Sequence, residues 1–111
     1  MGGYDMTVDE LSEGLKNGPY DTRVWCAMRL GLCDAAAANT VPALIEALEN
    51  DPVVAVRLAC AWALGQIRPA SVAAVPALRS VATKDSSWNV RVMSTRALGF
   101  IISSVAEPLK D

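Results

Sequence analysis

The 111-residue chain contains no histidine, and only 5% of its residues are aromatic. Without histidine, Ser-His-Asp and Cys-His catalysis are excluded, and the commonest zinc ligand is missing. The formal net charge is −2, which argues against nucleic acid or an anionic membrane surface as a partner. No apolar run approaches the ~18 residues of a membrane-spanning helix. These absences favour a protein without an active site, a cofactor or a bound metal.

Cysteine is scarce too, and the spacing of the three cysteines matches neither a disulfide pattern nor a metal site. Cys26, Cys33 and Cys60 are an odd number without a CxxC pair, so neither a disulfide scaffold nor a zinc knuckle is indicated. Cys26 and Cys33 are separated by about 10 Å if they share one helix, which is beyond the ~7 Å Cα separation that a disulfide allows. The N-terminal residues lack the basic and apolar segments of a signal peptide. We therefore expect small buried thiols in a protein of the reducing cytoplasm.

A period of 34 residues relates many positions of the chain. Three such units account for nearly all of its length, so the chain is a repeat protein rather than a generic small domain. The recurring residues are Arg23, Arg57 and Arg91, the Leu-Gly pairs that begin at Leu30, Leu64 and Leu98, and the turn residues Asn17, Asp51 and Asp85.

Each unit has the pattern of two helices joined by a short polar turn. Thr7, Thr40 and Ser71 are suited to cap the start of the first helix, and Pro42 and Pro76 fall in its opening turn, where proline is tolerated. Strand-like alternation is absent, so we predict an all-α chain of six helices. The predicted single domain spans 1–111, with repeats at about 7–33, 40–67 and 71–102.

The second helix of the middle unit carries the most specific motif. The segment Asp51–Ile67 reads D-P-V-V-A-V-R-L-A-C-A-W-A-L-G-Q-I. It resembles the second helix of a HEAT repeat, and more narrowly the HEAT-like repeats of the phycobilin-lyase group. The resemblance implies a short right-handed α-α superhelix of three helical hairpins that share one core. It also implies a ladder in which each turn carboxylate meets an arginine of an adjacent unit. The predicted ladder residues are Asp51, Asp85, Arg23, Arg57 and Arg91.

The glycines of the Leu-Gly pairs, Gly31, Gly65 and Gly99, lie near the end of each second helix. We expect that a side chain at this position would block the close approach of the neighbouring helix. Ser94 and Thr95 replace Cys60 and Ala61 in the last unit, which makes that unit more polar where no fourth repeat would cover it.

In a fold of this kind, the second helices line the concave face. Here their variable positions carry mostly large apolar side chains, where charged or polar ones are usual in the family. Trp, Met and Phe on one wall, with arginine nearby, have the composition of an interaction hot spot. The alternative interpretation is that a tight superhelix buries part of this row as core. The predicted partner-binding residues are Trp25, Met28, Arg29, Leu58, Trp62, Gln66, Met93, Arg96 and Phe100. Trp88 is separate, and we expect it to be half-packed against repeat 2.

The sequence therefore predicts a small, non-catalytic interaction module or adaptor that binds a protein segment or its own copy, as in a homodimer. An apolar groove accepts an amphipathic helix, a small apolar ligand or a second copy of the chain. No nucleic acid, membrane or cofactor is expected. The phycobilin-lyase resemblance suggests an alternative, which is the handling of an open-chain tetrapyrrole (a bilin).

Overall fold

The computed structural model describes residues 6–106, which form helices and short connections. Two 3₁₀ segments, Asp34–Thr40 and Ala70–Ala74, lead from one helical hairpin to the next. Residues 6–106 contain no strand, so the all-α prediction is confirmed, and none of their helices is long and apolar enough to cross a membrane. The six helices are α1 (Val8–Asn17), α2 (Tyr20–Leu32), α3 (Val41–Asn50), α4 (Val54–Ile67), α5 (Val75–Lys84) and α6 (Trp88–Val105).

The first helix begins as its sequence predicts. The Thr7 hydroxyl accepts a hydrogen bond from the Glu10 amide at 3.1 Å, and the Glu10 carboxylate accepts one from the Thr7 amide at 2.9 Å. This reciprocal capping box satisfies two backbone donors that the first turn of a helix leaves without partners. In α3 and α5, proline stands in the opening turn instead, and no side chain caps the helix.

The prediction that Ser71 caps the start of α5 is wrong, because the N-cap position is Ala74, three residues later. Helix α5 begins at Val75, and Ser71 lies within the 3₁₀ segment before it. Ser71 is fully buried, and its hydroxyl donates to the Leu64 carbonyl oxygen at 2.5 Å. A buried hydroxyl needs an acceptor, and it finds one at the end of α4 rather than at the start of α5.

The helices form two layers with the core between them. The second helices α2, α4 and α6 pack closely along one another, whereas the first helices α1, α3 and α5 touch their neighbours less. The three hairpins therefore stack as a small solenoid and bury their apolar stripes together, since one hairpin is too small to do so alone. The largest buried side chains include Leu15, Leu30, Leu44, Leu48, Leu64, Ile67, Leu78 and Ile101.

Two of the three recurring glycines lie where adjacent second helices meet. A Cβ atom at Gly31 would stand 2.6 Å from Cζ3 of Trp62 and 3.0 Å from Cα of Ala63. At Gly65 it would stand 3.1 Å from both Cα and Cβ of Ala97. Gly99 differs from the expectation, because no heavy atom lies within 4 Å of its added Cβ. This glycine faces the side of α6 on which no further hairpin of the described residues packs.

The polar residues of the last unit divide between surface and core. Thr95 is exposed, as expected, but Ser94 is fully buried. Its copies Cys26 and Cys60 are buried as well, and the Cys26 sulfur lies against Gly14 of the first helix in its own hairpin. Within residues 6–106, the Ser94 hydroxyl has no hydrogen-bond partner. The third hairpin thus carries an unsatisfied polar group where the other two carry a thiol.

Substituting the glycines separates close packing from helix propensity. We expect Gly31→Ala to lower the free energy of unfolding by about 1–3 kcal/mol, because the new methyl group overpacks the α2–α4 contact. Gly99→Ala should raise it by up to about 1 kcal/mol, since alanine favours the helix and meets open space. Urea denaturation of both variants measures the difference. Equal effects at the two positions would contradict this account of the packing.

The buried serines provide a second matched pair. Ser94→Ala should raise the free energy of unfolding by about 1 kcal/mol, because it removes a buried hydroxyl that lacks a partner. Ser71→Ala should lower it by a similar amount, because the Leu64 carbonyl oxygen then loses its donor. Thermal or urea unfolding tests both changes. A loss of stability in the Ser94 variant would show that its hydroxyl has a partner after all.

Candidate functional site

The outward side of α2, α4 and α6, which we call the second-helix face, contains an open cavity of about 290 Å³. Four residues predicted to bind a partner, Met28, Leu58, Trp62 and Met93, lie together in its wall. All side chains that line it are apolar or aromatic, and all three second helices contribute to it. The complete lining is Val24, Met28, Ala55, Leu58, Ala59, Trp62 and Met93.

The second-helix face is neither wholly buried nor wholly free. The side chains of Met28, Trp25 and Phe100 are 47%, 37% and 39% exposed. Leu58 and Trp62 are half-buried, since the ring of Trp62 lies across the space above Gly31. The face therefore combines half-buried side chains at its centre with exposed apolar side chains at its rim. The row is neither a fully exposed binding surface nor a fully buried core.

Two arginines flank this face and pack over aromatic rings. The guanidinium of Arg29 lies 5.5 Å from the centre of the Trp25 ring, and that of Arg68 lies 4.9 Å from the centre of the Phe100 ring. Such contacts hold a cation at the edge of an apolar surface. Sequence reasoning missed Arg68, because it follows α4 in a segment outside the repeat motif.

The remaining predicted residues lie outside the cavity. Gln66 is half-buried and Arg96 is exposed. Together with Trp25, Arg29 and Phe100, they surround the cavity but do not line it. The structure thus assembles part of the predicted set into one site and distributes the rest along the face.

A second feature, the row of ion pairs, joins consecutive hairpins. Arg23 donates from Nε and Nη2 to the two carboxylate oxygens of Asp51 at 2.9 and 3.2 Å. Arg57 holds Asp85 in the same way at 2.9 and 3.1 Å. In each case the third nitrogen, Nη1, donates at 2.9 Å to a turn carbonyl oxygen of its own hairpin. These bidentate pairs are largely buried, and each fixes one hairpin against the next.

The repeats, the glycine contacts and the ion pairs point to one family. A family model for HEAT repeats matches residues 8–99, which is most of the chain. This chain belongs to the HEAT-repeat family. The match is to HEAT repeats in general, so the phycobilin-lyase type stays a prediction. A search of curated proteins found none that matches this HEAT-repeat chain.

The third arginine of the HEAT ladder lacks the partner that its copies have. Arg91 donates from Nη1 to the Asp85 carbonyl oxygen at 2.7 Å, as Arg23 and Arg57 do within their own hairpins. Its Nε and Nη2 meet no carboxylate among residues 6–106. Among the described residues, the ladder therefore has two complete ion pairs. A third arginine, Arg91, has the same backbone hydrogen bond but no carboxylate partner.

Trp88 was expected to pack against the second HEAT repeat, and it does not. It is the first residue of α6 and is 67% exposed. Its copies in the earlier repeats, Tyr20 and Val54, are also exposed, because this position points away from the neighbouring hairpin. Trp88 instead lines a second open cavity, of about 500 Å³, together with Ala82, Arg91, Val92, Thr95 and Arg96.

Two thiols of this HEAT-repeat chain, Cys26 and Cys60, are held in their neutral form. Burial raises the pKa of the Cys26 thiol, and burial with the nearby Asp51 charge raises the pKa of the Cys60 thiol. A raised pKa disfavours the thiolate, which is the nucleophilic form. In the described part of the chain, no three Cys, Asp or Glu side chains converge on a point that could hold a metal ion.

The ladder makes stability depend on pH. Burial by itself would raise the pKa of Asp85, but hydrogen bonds from Arg57 and the Ser87 amide, with the charges of Arg57 and Arg91, lower it below its ordinary value. A depressed pKa in the folded state means that this stabilisation is present above the unfolded pKa of about 3.9 and is lost as the pH falls below it.

We therefore expect Asp85→Asn to lower the free energy of unfolding at pH 7 by about 1–3 kcal/mol, because a charge-assisted bidentate pair is lost. The difference from the unchanged chain should shrink as the pH falls below about 4. Urea unfolding between pH 7 and pH 3 measures it. The double variant Arg57→Gln, Asp85→Asn should have nearly the same free energy of unfolding as Asp85→Asn alone. A difference that does not change with pH would contradict the ion-pair account.

Proposed function

We propose that this HEAT-repeat chain is a small non-catalytic interaction module that binds a protein segment, or a second copy of itself, through the second-helix face. The cavity lined by Met28, Leu58, Trp62 and Met93 is the observation that carries the proposal. The three unpaired cysteines support an intracellular, reducing compartment such as the cytoplasm as its place of action.

The chemistry of this cavity favours a protein segment over a polar small molecule. Its lining offers methyl groups, thioethers and an indole ring, which bury apolar side chains without fixing polar groups. Met adapts its shape to different partners, and Trp is enriched among residues that dominate binding energy. An amphipathic helix that lays its apolar side into the cavity matches this composition.

Three arginines lie close to the rim of the cavity. Arg29, Arg68 and Arg96 are exposed on or beside the second-helix face, and two of them pack over aromatic rings. Acidic residues on the polar side of a bound helix would meet these guanidinium groups. We therefore propose an amphipathic helix rich in leucine and glutamate as the best-fitting class of segment.

The bilin alternative has less support from the geometry. A cavity of about 290 Å³ is at the lower end of the ~300–1,000 Å³ that small-molecule sites occupy. An open-chain tetrapyrrole also carries carboxylates and pyrrole nitrogens, which need polar partners when they are buried. The lining of this cavity has no charged side chain, so a protein segment remains the proposed ligand.

The substitution Ala55→Glu tests the proposal without disturbing the core. Ala55 is exposed, lines the cavity and lies in the first turn of α4, where a carboxylate also suits the helix dipole. We expect the substitution to weaken binding of a synthetic leucine–glutamate helical peptide, and any self-association, by about tenfold or more, because it places a like charge at the apolar contact. Fluorescence anisotropy of the labelled peptide and sedimentation equilibrium measure the two.

The matched control is Val72→Glu, which changes an exposed valine outside the cavity and should leave both measurements unchanged. Ala55 is a better target than Trp62, since the Trp62 ring also fills the space above Gly31. Circular dichroism confirms that each variant folds. Absence of peptide binding and of self-association in the unchanged chain, or equal behaviour of the two variants, would contradict the proposal.

A further inference from the structure

The interface between consecutive HEAT repeats is built the same way twice. Arg23 and Arg57 each hold an aspartate of the following hairpin through two hydrogen bonds. Beside them, Ala27 and Ala61 are fully buried, and Gly31 and Gly65 are buried where the next second helix approaches. An arginine, a small residue and a glycine on each second helix therefore form a binding surface for the turn aspartate and the second helix of the next hairpin. The period of 34 residues places the third copy of this binding surface at Arg91, Thr95 and Gly99.

In the third copy the same three positions are open. Arg91 is held in the pose of its copies by the Asp85 carbonyl oxygen at 2.7 Å, but no carboxylate of residues 6–106 meets its Nε and Nη2. Thr95 and Gly99 are exposed, and no heavy atom lies within 4 Å of a Cβ added at Gly99. The Thr95 hydroxyl donates to the Arg91 carbonyl oxygen at 3.0 Å, so it needs no acceptor from a bound protein.

The geometry points to a second binding surface, distinct from the cavity of the second-helix face: the open end of the third repeat binds a helical hairpin of another protein that carries an aspartate in the turn before its second helix. The aspartate would accept two hydrogen bonds from Arg91, as Asp51 and Asp85 do from theirs. The following helix would pack over Gly99 and Thr95. We call this surface the open end, and it consists of Ala82, Trp88, Arg91, Val92, Thr95 and Gly99.

The charge of this surface supports an acidic partner. The cavity at the open end is lined by two arginines, Arg91 and Arg96, and by no carboxylate. The nearest aspartate, Asp85, is already bound by Arg57. A guanidinium edge with two parallel donors matches a carboxylate, which offers two acceptors. Trp88 and Val92 add apolar contact area on the same wall.

The first hairpin of a second copy does not provide a carboxylate at the ladder position. In that hairpin, the position of Asp51 and Asp85 is taken by Asn17. An amide has one acceptor oxygen and no negative charge, so it cannot form the two parallel, charge-assisted hydrogen bonds that a carboxylate forms with the arginine edge. The Asn17 amide nitrogen moreover donates to the Glu13 carboxylate of its own helix. The proposed occupant is therefore a hairpin of a different protein.

The experiment uses the full chain and, as probe, a peptide with the sequence of residues 41–67, which presents Asp51 in the context that Arg23 already binds. NMR spectra should show shifts of the Arg91 Nε–H and of the Trp88 indole N–H on titration. The same peptide with Asp51→Asn should bind about tenfold more weakly or less, because one acceptor oxygen is lost. Gly99→Leu in the full chain should abolish the shifts by filling the approach site.

If the free peptide does not fold alone, a second version of the experiment links it covalently to the full chain. The peptide is joined through a flexible Gly/Ser linker to the C-terminus of the full chain, where its effective concentration is in the millimolar range. The tethered Asp51 form should then shift the Arg91 and Trp88 signals and raise the midpoint of unfolding, and the tethered Asp51→Asn form should do neither. Ala55→Glu should leave these results unchanged, which separates this surface from the second-helix face.

Several outcomes overturn the inference. One is the absence of any Arg91 shift in the tethered Asp51 form, and another is equal behaviour of the Asp51 probe and its Asp51→Asn form. An Arg91-dependent dimer without probe would assign the open end to a second copy. An Arg91 signal that moves on deletion of residues 107–111 would assign it to the chain itself.

Discussion

The close approach of neighbouring second helices is the constraint on which the rest of the structure depends. At Gly31 and Gly65 the backbone of one helix comes so near the next that an added Cβ would stand 3.0 or 3.1 Å from a Cα atom of the neighbouring helix. Because the helices are this close, Trp62 folds across Gly31 instead of extending into solvent, and its ring becomes the floor of the cavity on the second-helix face. The apolar face and its cavity therefore follow from a packing rule that repeats along the chain.

The ion pairs then set the register of this packing. A largely buried ion pair gives little net stability, because its desolvation offsets most of the attraction. Its geometric demand is strict, however, since both oxygens of Asp51 or Asp85 must meet the edge of one guanidinium group. The glycines thus allow adjacent hairpins to pack closely. The arginines determine the position of each hairpin along the helix axes of the next. The Nη1 bond to the turn carbonyl oxygen also ties each arginine to its own hairpin.

Much of the fold could be predicted from the sequence, since a period of 34 residues locates six helices, their turns and the ladder at once. The period says less about which side of a helix a given residue occupies. Ser94 was expected at the surface because of its polarity, but its position belongs to the core of every hairpin. Trp88 was expected to be half-packed against repeat 2, but its position is exposed in every repeat. Arg68 lies between repeats, so no periodic signal could place it over Phe100.

Within the candidate site, the sequence identified which helices carry the apolar face but not where along them a cavity forms. Four of the predicted residues converge on one cavity because small neighbours, Ala55 and Ala59, leave space between them. Large residues drew attention in the sequence, whereas the small ones shape the cavity. Alanine is also so common in helices that its positions carry no distinctive signal for a binding site.

Asn17 has a consequence for assembly as a whole. A stack of like units whose two ends are complementary can add further copies without limit, and such head-to-tail contacts produce filaments rather than closed oligomers. Here one end offers the arginine of the ladder, while the other offers an amide already engaged with Glu13. The exchange of one carboxylate oxygen for an amide nitrogen means that the bidentate pair seen twice within the chain is not reproduced between Arg91 of one copy and Asn17 of another.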